Sequence, residues 1–255
     1  MDKVSSLINQ IVQCGVNTQH ADSECHAAWI AQGCTCIDDF HLPEPWNGNI
    51  ESASLLFLSI NPGYSPNELY PRLGNGWWID ESGKLSVQRV ADFFTNRFSS
   101  EHNYVMNEDG RRFCIKMEDG SYRRLRRSYW ENIHKIATLI LNRDVCIGKD
   151  YAITEIVHCK TSRESGLNEK CYSRCLTLWL KQILNVAQKA NTIIVVGEKP
   201  RILIGQFVEQ RIDVPERYRW YERSIPGGRK YKWLFIDHPA AYQCRPVARV
   251  EELMH

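Results

Sequence analysis

The stretch SLLFLSINPG, Ser54 to Gly63, is a short continuous apolar run that stops abruptly at a polar turn. It is too short for a stable helix, and Asn-Pro-Gly is turn chemistry, so it reads as a buried strand feeding a turn at its carboxyl end. Three later segments repeat that grammar: YAITEIVH from Tyr151 to near Cys159, TIIVVG from Thr192 to Gly197, and KWLFIDHP ending at Asp237-His238-Pro239. Helical periodicity lies between them, from about Tyr129 to Asn142 and from about Asn168 to Lys189. Buried strands alternating with helices predict a three-layer α/β/α sandwich around a mostly parallel, four-stranded sheet. Such sheets bind ligands at the carboxyl ends of their strands, which makes Asn61, Glu155 and His238 the first candidates for chemistry.

Outward from this frame, residues 1–50 read as a helical preface closed by the Pro/Gly-rich connector HLPEPWNGN, and residues 64–130 as an elaborated insertion. The insertion holds an aromatic loop, a helix through SVQRVADFFTNRF and a hairpin at Asn107 to Gly110. A chain of 255 residues, 43% hydrophobic, fits one domain spanning 1–255 better than two small ones. Its 32 basic and 30 acidic residues leave net charge neutral about nucleic acid, so any DNA affinity needs a local basic face. No run approaches the roughly 18 apolar residues of a membrane span, and the N-terminus does not read as a signal peptide. A cytoplasmic monomer is expected, with the ten cysteines as thiols or metal ligands instead of disulfides.

SINPGYS resembles the first motif of the mismatch-specific and single-strand-selective branches of the uracil-DNA glycosylase superfamily. ITEIVHCKTSRESGLNEKCYSRCLTLWLKQI, with NTIIVVGEKP after it, looks like the middle of that superfamily's iron-sulfur branch, and DHPAA is similar to its His-Pro motif. The motifs span about Leu55 to Ala241 in the right order. The resemblance implies a uracil-DNA glycosylase-like fold and hydrolysis of an N-glycosidic bond after the nucleotide flips from the DNA stack. It implies a leaving-group role for His238, whose hydrogen bond steadies the departing base, a donor worth about 100- to 1000-fold in rate. It implies that Asn61 positions the attacking water; an amide can hold water but cannot take its proton. Gly63 is expected to let the backbone approach the ligand. No lysine is placed as a Schiff-base nucleophile, so a monofunctional enzyme is expected, with no cofactor needed for the chemistry.

Glu155 departs from the pattern, standing where uracil-removing relatives carry an Asn that reads the base. A carboxylate only accepts hydrogen bonds, so it disfavours uracil O4 and favours the cytosine N4 amine. Because unmodified cytosine is no viable target, a modified cytosine is expected, such as the glucosylated hydroxymethylcytosine of phage DNA. This implies an anti-phage role, with the insertion as a roomier wall or lid. The alternatives are a Glu155 paired with a nearby cation or partly protonated by burial, a repair enzyme for uracil or another deaminated base, and a catalytically silent DNA-binding sensor.

Tyr64, Tyr70 and Trp78, with Trp77, are candidates for stacking on the base, a contact worth about 1 to 3 kcal/mol, although most aromatics are core. Cys159 and Cys175 fall at the iron-sulfur branch's spacing. With Cys34 and Cys36, whose internal spacing departs from that branch's Cys-x-x-Cys, they are candidate ligands of a structural [4Fe-4S] cluster or zinc, or else buried thiols. Arg123, Arg124, Arg126 and Arg127 form the densest basic patch; Arg229, Lys230, Arg245 and Arg249 are further candidates for gripping the DNA backbone, against the alternative of a solvated surface.

Overall fold

The computed structural model describes residues 2–21, 23–74, 76–102, 104–107, 113–125 and 128–255. Its strands are β1 (Leu55–Ser59), β2 (Val105–Asn107), β3 (Phe113–Lys116), β4 (Tyr122–Arg124), β5 (Tyr151–Glu155), β6 (Thr192–Val196), β7 (Trp220–Ser224) and β8 (Lys230–Ile236). Its α-helices are α1 (Lys3–Val16), α2 (His26–Ala31), α3 (Val87–Thr95), α4 (Tyr129–Leu141), α5 (Glu169–Cys175), α6 (Lys181–Val186), α7 (Glu198–Phe207) and α8 (Pro246–Met254). A π turn, Leu176–Leu180, joins α5 to α6.

The central sheet has five strands in the order β5-β1-β6-β8-β7. The four expected strands are its parallel part, and β7 adds an antiparallel edge paired along Trp220–Ser224 with β8. Both faces are covered. Leu56, Leu58, Ile193, Val195, Trp233 and Phe235 pack toward a cluster with Leu7, Ile11, Phe94 and Ile183 of α1, α3 and α6. The alternate residues Leu55, Phe57, Ile194, Val196, Leu234 and Ile236 pack instead with Ile133, Ile136 and Val250 of α4 and α8. Strands β1, β6 and β8 are therefore apolar on both sides, as a sandwiched parallel sheet requires.

The connector at 41–49 is buried instead of lying on the surface. Asn47 exchanges backbone hydrogen bonds with Ile153 (2.7 and 3.0 Å), and Glu44 N donates to His158 O at 2.8 Å. It thereby covers the open edge of β5, which would otherwise present unpaired backbone groups. Within the insertion, β2, β3 and β4 form a second, antiparallel sheet with its own small core of Val105, Phe113, Ile115 and Met117. Strands β2 and β3 pair antiparallel up to Asn107 and Phe113, while the turn expected at 107–110 lies, beyond Asn107, outside the described residues. No helix among the described residues is long and apolar enough to cross a membrane.

Candidate active site

Strand β1 delivers Asn61 two residues past its end, on a loop tied to the segment after β5. Thr161 N donates to Pro62 O and Tyr64 N donates to Thr161 O, both at 3.2 Å. The Asn61 amide nitrogen donates to Pro62 O at 3.0 Å and to Thr161 Oγ1 at 2.9 Å. A carbonyl can only accept, so this pair of bonds fixes the amide's orientation and uses both of its hydrogens. Oδ1 is then the atom that can accept from a water. Gly63 is exposed, and a Cβ built on it meets no atom within 4 Å. The protein itself does not need glycine there, and the space above it is open.

His238 follows β8 by two residues, also at the carboxyl end of the parallel strands. Ala240 N donates to its Nδ1 at 3.2 Å. Nδ1 is thus the bare nitrogen of a neutral imidazole, and the proton sits on Nε2. Helix α4 supports the turn twice: Asn132 donates from its amide to Pro239 O at 2.6 Å, and the Tyr129 ring lies 5.2 Å from that of His238. Asp237 anchors the strand end by accepting from Tyr218 Oη at 2.8 Å and pairing with Arg217 at 2.9 Å.

Glu155 closes β5 beside Ser59, its register partner, and is only 6% exposed. Its Oε2 is buried without a hydrogen-bond partner, as is the Tyr129 hydroxyl. Burial pushes the Glu155 carboxyl well above the ordinary range, and the charge of Glu44 adds to this against Lys160 and Arg97. This direction is that of the alternative kept open by the sequence, a Glu155 partly protonated by burial, and it weighs against a fully ionised carboxylate.

Beneath the site lies a buried network that sequence reading missed. Glu44 Oε2 accepts from Lys160 Nζ at 3.1 Å, Tyr70 Oη at 3.2 Å and Arg97 Nη1 at 3.4 Å, while Asn47 donates to Oε1. Arg97 also pairs with Glu68, and Lys160 Nζ lies 3.5 Å from Glu68 Oε2. Burial opposes the Glu44 charge, but Lys160, Arg97 and the Asn47 hydrogen bond prevail and hold its carboxyl at about 2. The only sequence signal was an acid in a Pro-Glu-Pro connector and lone cations elsewhere, whose burial no local pattern reveals.

Several expected contacts are displaced. Tyr70 is fully buried, stacked under His41 at 5.2 Å with Lys160 Nζ 4.0 Å from its ring, and Trp78 is core against Phe93. Neither is available to stack on a base; Tyr64, half-buried against His41, stays beside the Asn61 loop. Arg229 donates to the carbonyls of Ala187, Gln188 and Ala190, closing the end of α6, and Lys230 pairs with Glu222 at 2.6 Å. Both stand at the start of β8, about 25 to 30 Å along the chain from His238 and so at the other end of the strand from that turn. Arg123 is tied to Ser65 Oγ at 2.6 Å, so it fastens β4 to the Asn61 loop. Arg124 is exposed, and Arg126 and Arg127 lie outside the described residues. Arg245 is exposed at the start of α8, while Arg249 lies against Asp237 at 3.8 Å. Tyr242, between His238 and Arg245, is 93% exposed and was not singled out from sequence.

The four candidate metal ligands are not brought together. Cys34 has Asp39, Arg72 and Cys36 as its neighbours, and Cys36 Sγ lies 3.3 Å from Asp39 Oδ2. Cys159 is instead near Cys25, Cys14 and Cys171, and Cys25 is in hydrogen-bonding contact with Cys171 and Cys175. Among the described residues no group of three or more His, Cys, Asp or Glu side chains is arranged to hold a metal ion. The named set therefore does not fit a cluster or zinc. No family model matches the sequence, and no curated protein matches it either.

Proposed function

We propose that this chain is a monofunctional DNA glycosylase with a uracil-DNA glycosylase-like fold, hydrolysing the N-glycosidic bond of a flipped pyrimidine, with a modified cytosine as the preferred base. The observation that carries the reading is the hydrogen bond from Ala240 N to His238 Nδ1, which leaves the imidazole proton on Nε2. A neutral donor is what a departing base needs, because negative charge grows on its O2 as the bond breaks. Asn61 Oδ1 accepts from the water and directs its oxygen to C1′. The C1′–N bond breaks, its electron pair leaves with the base, and the water proton passes to solvent or to the base, since an amide cannot take it. An abasic site remains.

Tyr242 suits the space vacated by the flipped nucleotide, as an exposed ring beside the His238 turn can stack into the duplex. The fastening of β4 to the Asn61 loop through Arg123 and Ser65 supports a role for the β2 to β4 sheet as a wall beside a bulky 5-substituent. The test is alkali-labile strand breakage in DNA containing glucosylated hydroxymethylcytosine. Breakage that is lost in both Asn61→Ala and His238→Ala supports the reading. A biological effect that survives both substitutions would instead favour a DNA-binding sensor without chemistry.

A further inference from the structure

Three buried carboxyl groups, Glu44, Glu68 and Glu155, share a neighbourhood with two buried cations, Arg97 and Lys160. Both cations are committed elsewhere. Arg97 spans Glu44 and Glu68, and Lys160 Nζ lies within 3.5 Å of the same two acids, so the four charges balance without Glu155. No hydrogen bond reaches either Glu155 oxygen among the described residues, and Oε2 is wholly enclosed. An ionised third carboxylate here has neither a counter-charge nor a donor. Glu155 nevertheless ends β5 level with Ser59 of the neighbouring strand β1, two residues short of Asn61, and next to the Tyr129 that packs on His238. A buried acid at the carboxyl end of a parallel strand, with no hydrogen-bond partner among the described residues, can take one from a ligand.

We propose that Glu155 reads the pairing edge of the flipped pyrimidine with two hydrogen bonds, donating through its O–H and accepting through its C=O. This deepens the glycosylase reading and rests on it. Against cytosine the acid donates to N3 and accepts from the N4 amine; against uracil it donates to O4 and accepts from N3–H. Both edges are satisfied, so the group selects pyrimidine edges and does not by itself reject uracil. Discrimination passes to the 5-position and the β2 to β4 wall. The groups that face Glu155 are Glu44 of the connector, Arg97 after α3, Lys160 after β5 and Tyr129 of α4. Burial, with the charge of Glu44 adding to it against Lys160 and Arg97, moves the ionisation of this acid well above the ordinary carboxylate range. Once ionised, the carboxylate loses its donor and opposes cytosine N3.

The test uses duplexes carrying 2′-fluoro-2′-deoxycytidine or 2′-fluoro-2′-deoxyuridine, whose glycosidic bonds resist cleavage, so binding is read without turnover. Glu155→Gln keeps one donor and one acceptor, and Glu155→Met keeps only the shape. The expected result is binding by Glu155→Gln within about threefold of the natural protein, with Glu155→Met at least tenfold weaker, since a good bidentate pair is worth about that much or more. Infrared difference spectra at pH 7 are expected to show a neutral carboxyl band that Glu155→Gln removes. Binding by the natural protein should weaken in alkali while that of Glu155→Gln stays flat. Equal losses in Gln and Met, or an ionised Glu155 at pH 7, overturn the proposal. Failure of the glycosylase reading is separate: it shows as tight, Glu155-dependent binding with no base released from any cleavable DNA.

Discussion

The side-chain amide of Asn132, in the first turn of α4, donates to the carbonyl of Pro239 at 2.6 Å and so joins residues 107 positions apart. The turn carrying His238 is thereby held by a helix that covers one face of the sheet. Its removal leaves the imidazole in place chemically but free to drift, and small misplacements of a reacting group cost up to about 100-fold. Asn132→Ala is expected to lower the single-turnover rate of base release about 10- to 100-fold with little change in DNA affinity. Asn132→Ser should recover part of the loss. Quench-flow rates beside equilibrium binding check this; an equal loss of affinity and rate would assign Asn132 to general folding.

Gly63 offers an unusually clean probe. A Cβ there meets nothing in the protein, and its backbone is not in the left-handed region, so Gly63→Ala is expected to leave the melting temperature within about 2 °C. If the open space belongs to the flipped nucleotide, the added methyl clashes only with substrate. Base release should then fall at least tenfold in a protein that is as stable as before. Thermal melts paired with activity separate the two effects.

Much of the frame was legible because buried parallel strands are nearly continuous apolar runs. Leu55–Ser59, Tyr151–Glu155 and Thr192–Val196 stand where those runs were read, and Asn61, Glu155 and His238 do end neighbouring parts of one sheet. The edge strand Trp220–Ser224 escaped because edges carry charge: Glu222 and Arg223 hide the pattern, and Arg229 and Lys230, read as candidates for a DNA grip, stand at the hairpin between β7 and β8. The Glu44 network was illegible for a different reason. Glu44, Glu68, Arg97 and Lys160 are scattered through the sequence, and only tertiary packing makes each the other's counter-charge.

That network predicts a stability cost. Truncating one member leaves a buried charge uncompensated, which typically costs about 3 to 5 kcal/mol. Lys160→Met is expected to lower the melting temperature by roughly 10 °C or more, given about 2 to 4 °C per kcal/mol for a domain near this size. Glu155→Gln should do the opposite at neutral pH, since the unfolded chain gains from ionising Glu155 above its ordinary value and the folded chain does not. Calorimetry on the two variants checks both signs.

Acid sensitivity follows from the buried histidines. Burial, with Lys160 and Arg72 nearby, draws His41 down to about 2, and burial draws His158 down to about 4 despite its bond to Glu44 O at 2.8 Å. Both stay neutral in the fold while the unfolded chain takes up protons below about 6.5, so the stability they hold is full above that pH and drains as pH falls toward 4. Glu44, held at about 2, adds a second loss below about 4.5. Urea midpoints measured from pH 7 to pH 4 should decline, and His158→Asn should flatten the slope. A profile unchanged by that substitution would mean His158 is not buried as a neutral ring.

The central claim is hydrolysis of an N-glycosidic bond, and mass spectrometry of free base tests it most directly. Matched duplexes carry uracil, hydroxymethylcytosine or glucosylated hydroxymethylcytosine, and the natural chain is compared with His238→Ala. The account predicts release of a modified cytosine by the natural chain and a loss of about 100- to 1000-fold in the variant. Release of uracil alone would leave the glycosylase and overturn the substrate; no free base from any of the three duplexes would contradict the claim itself.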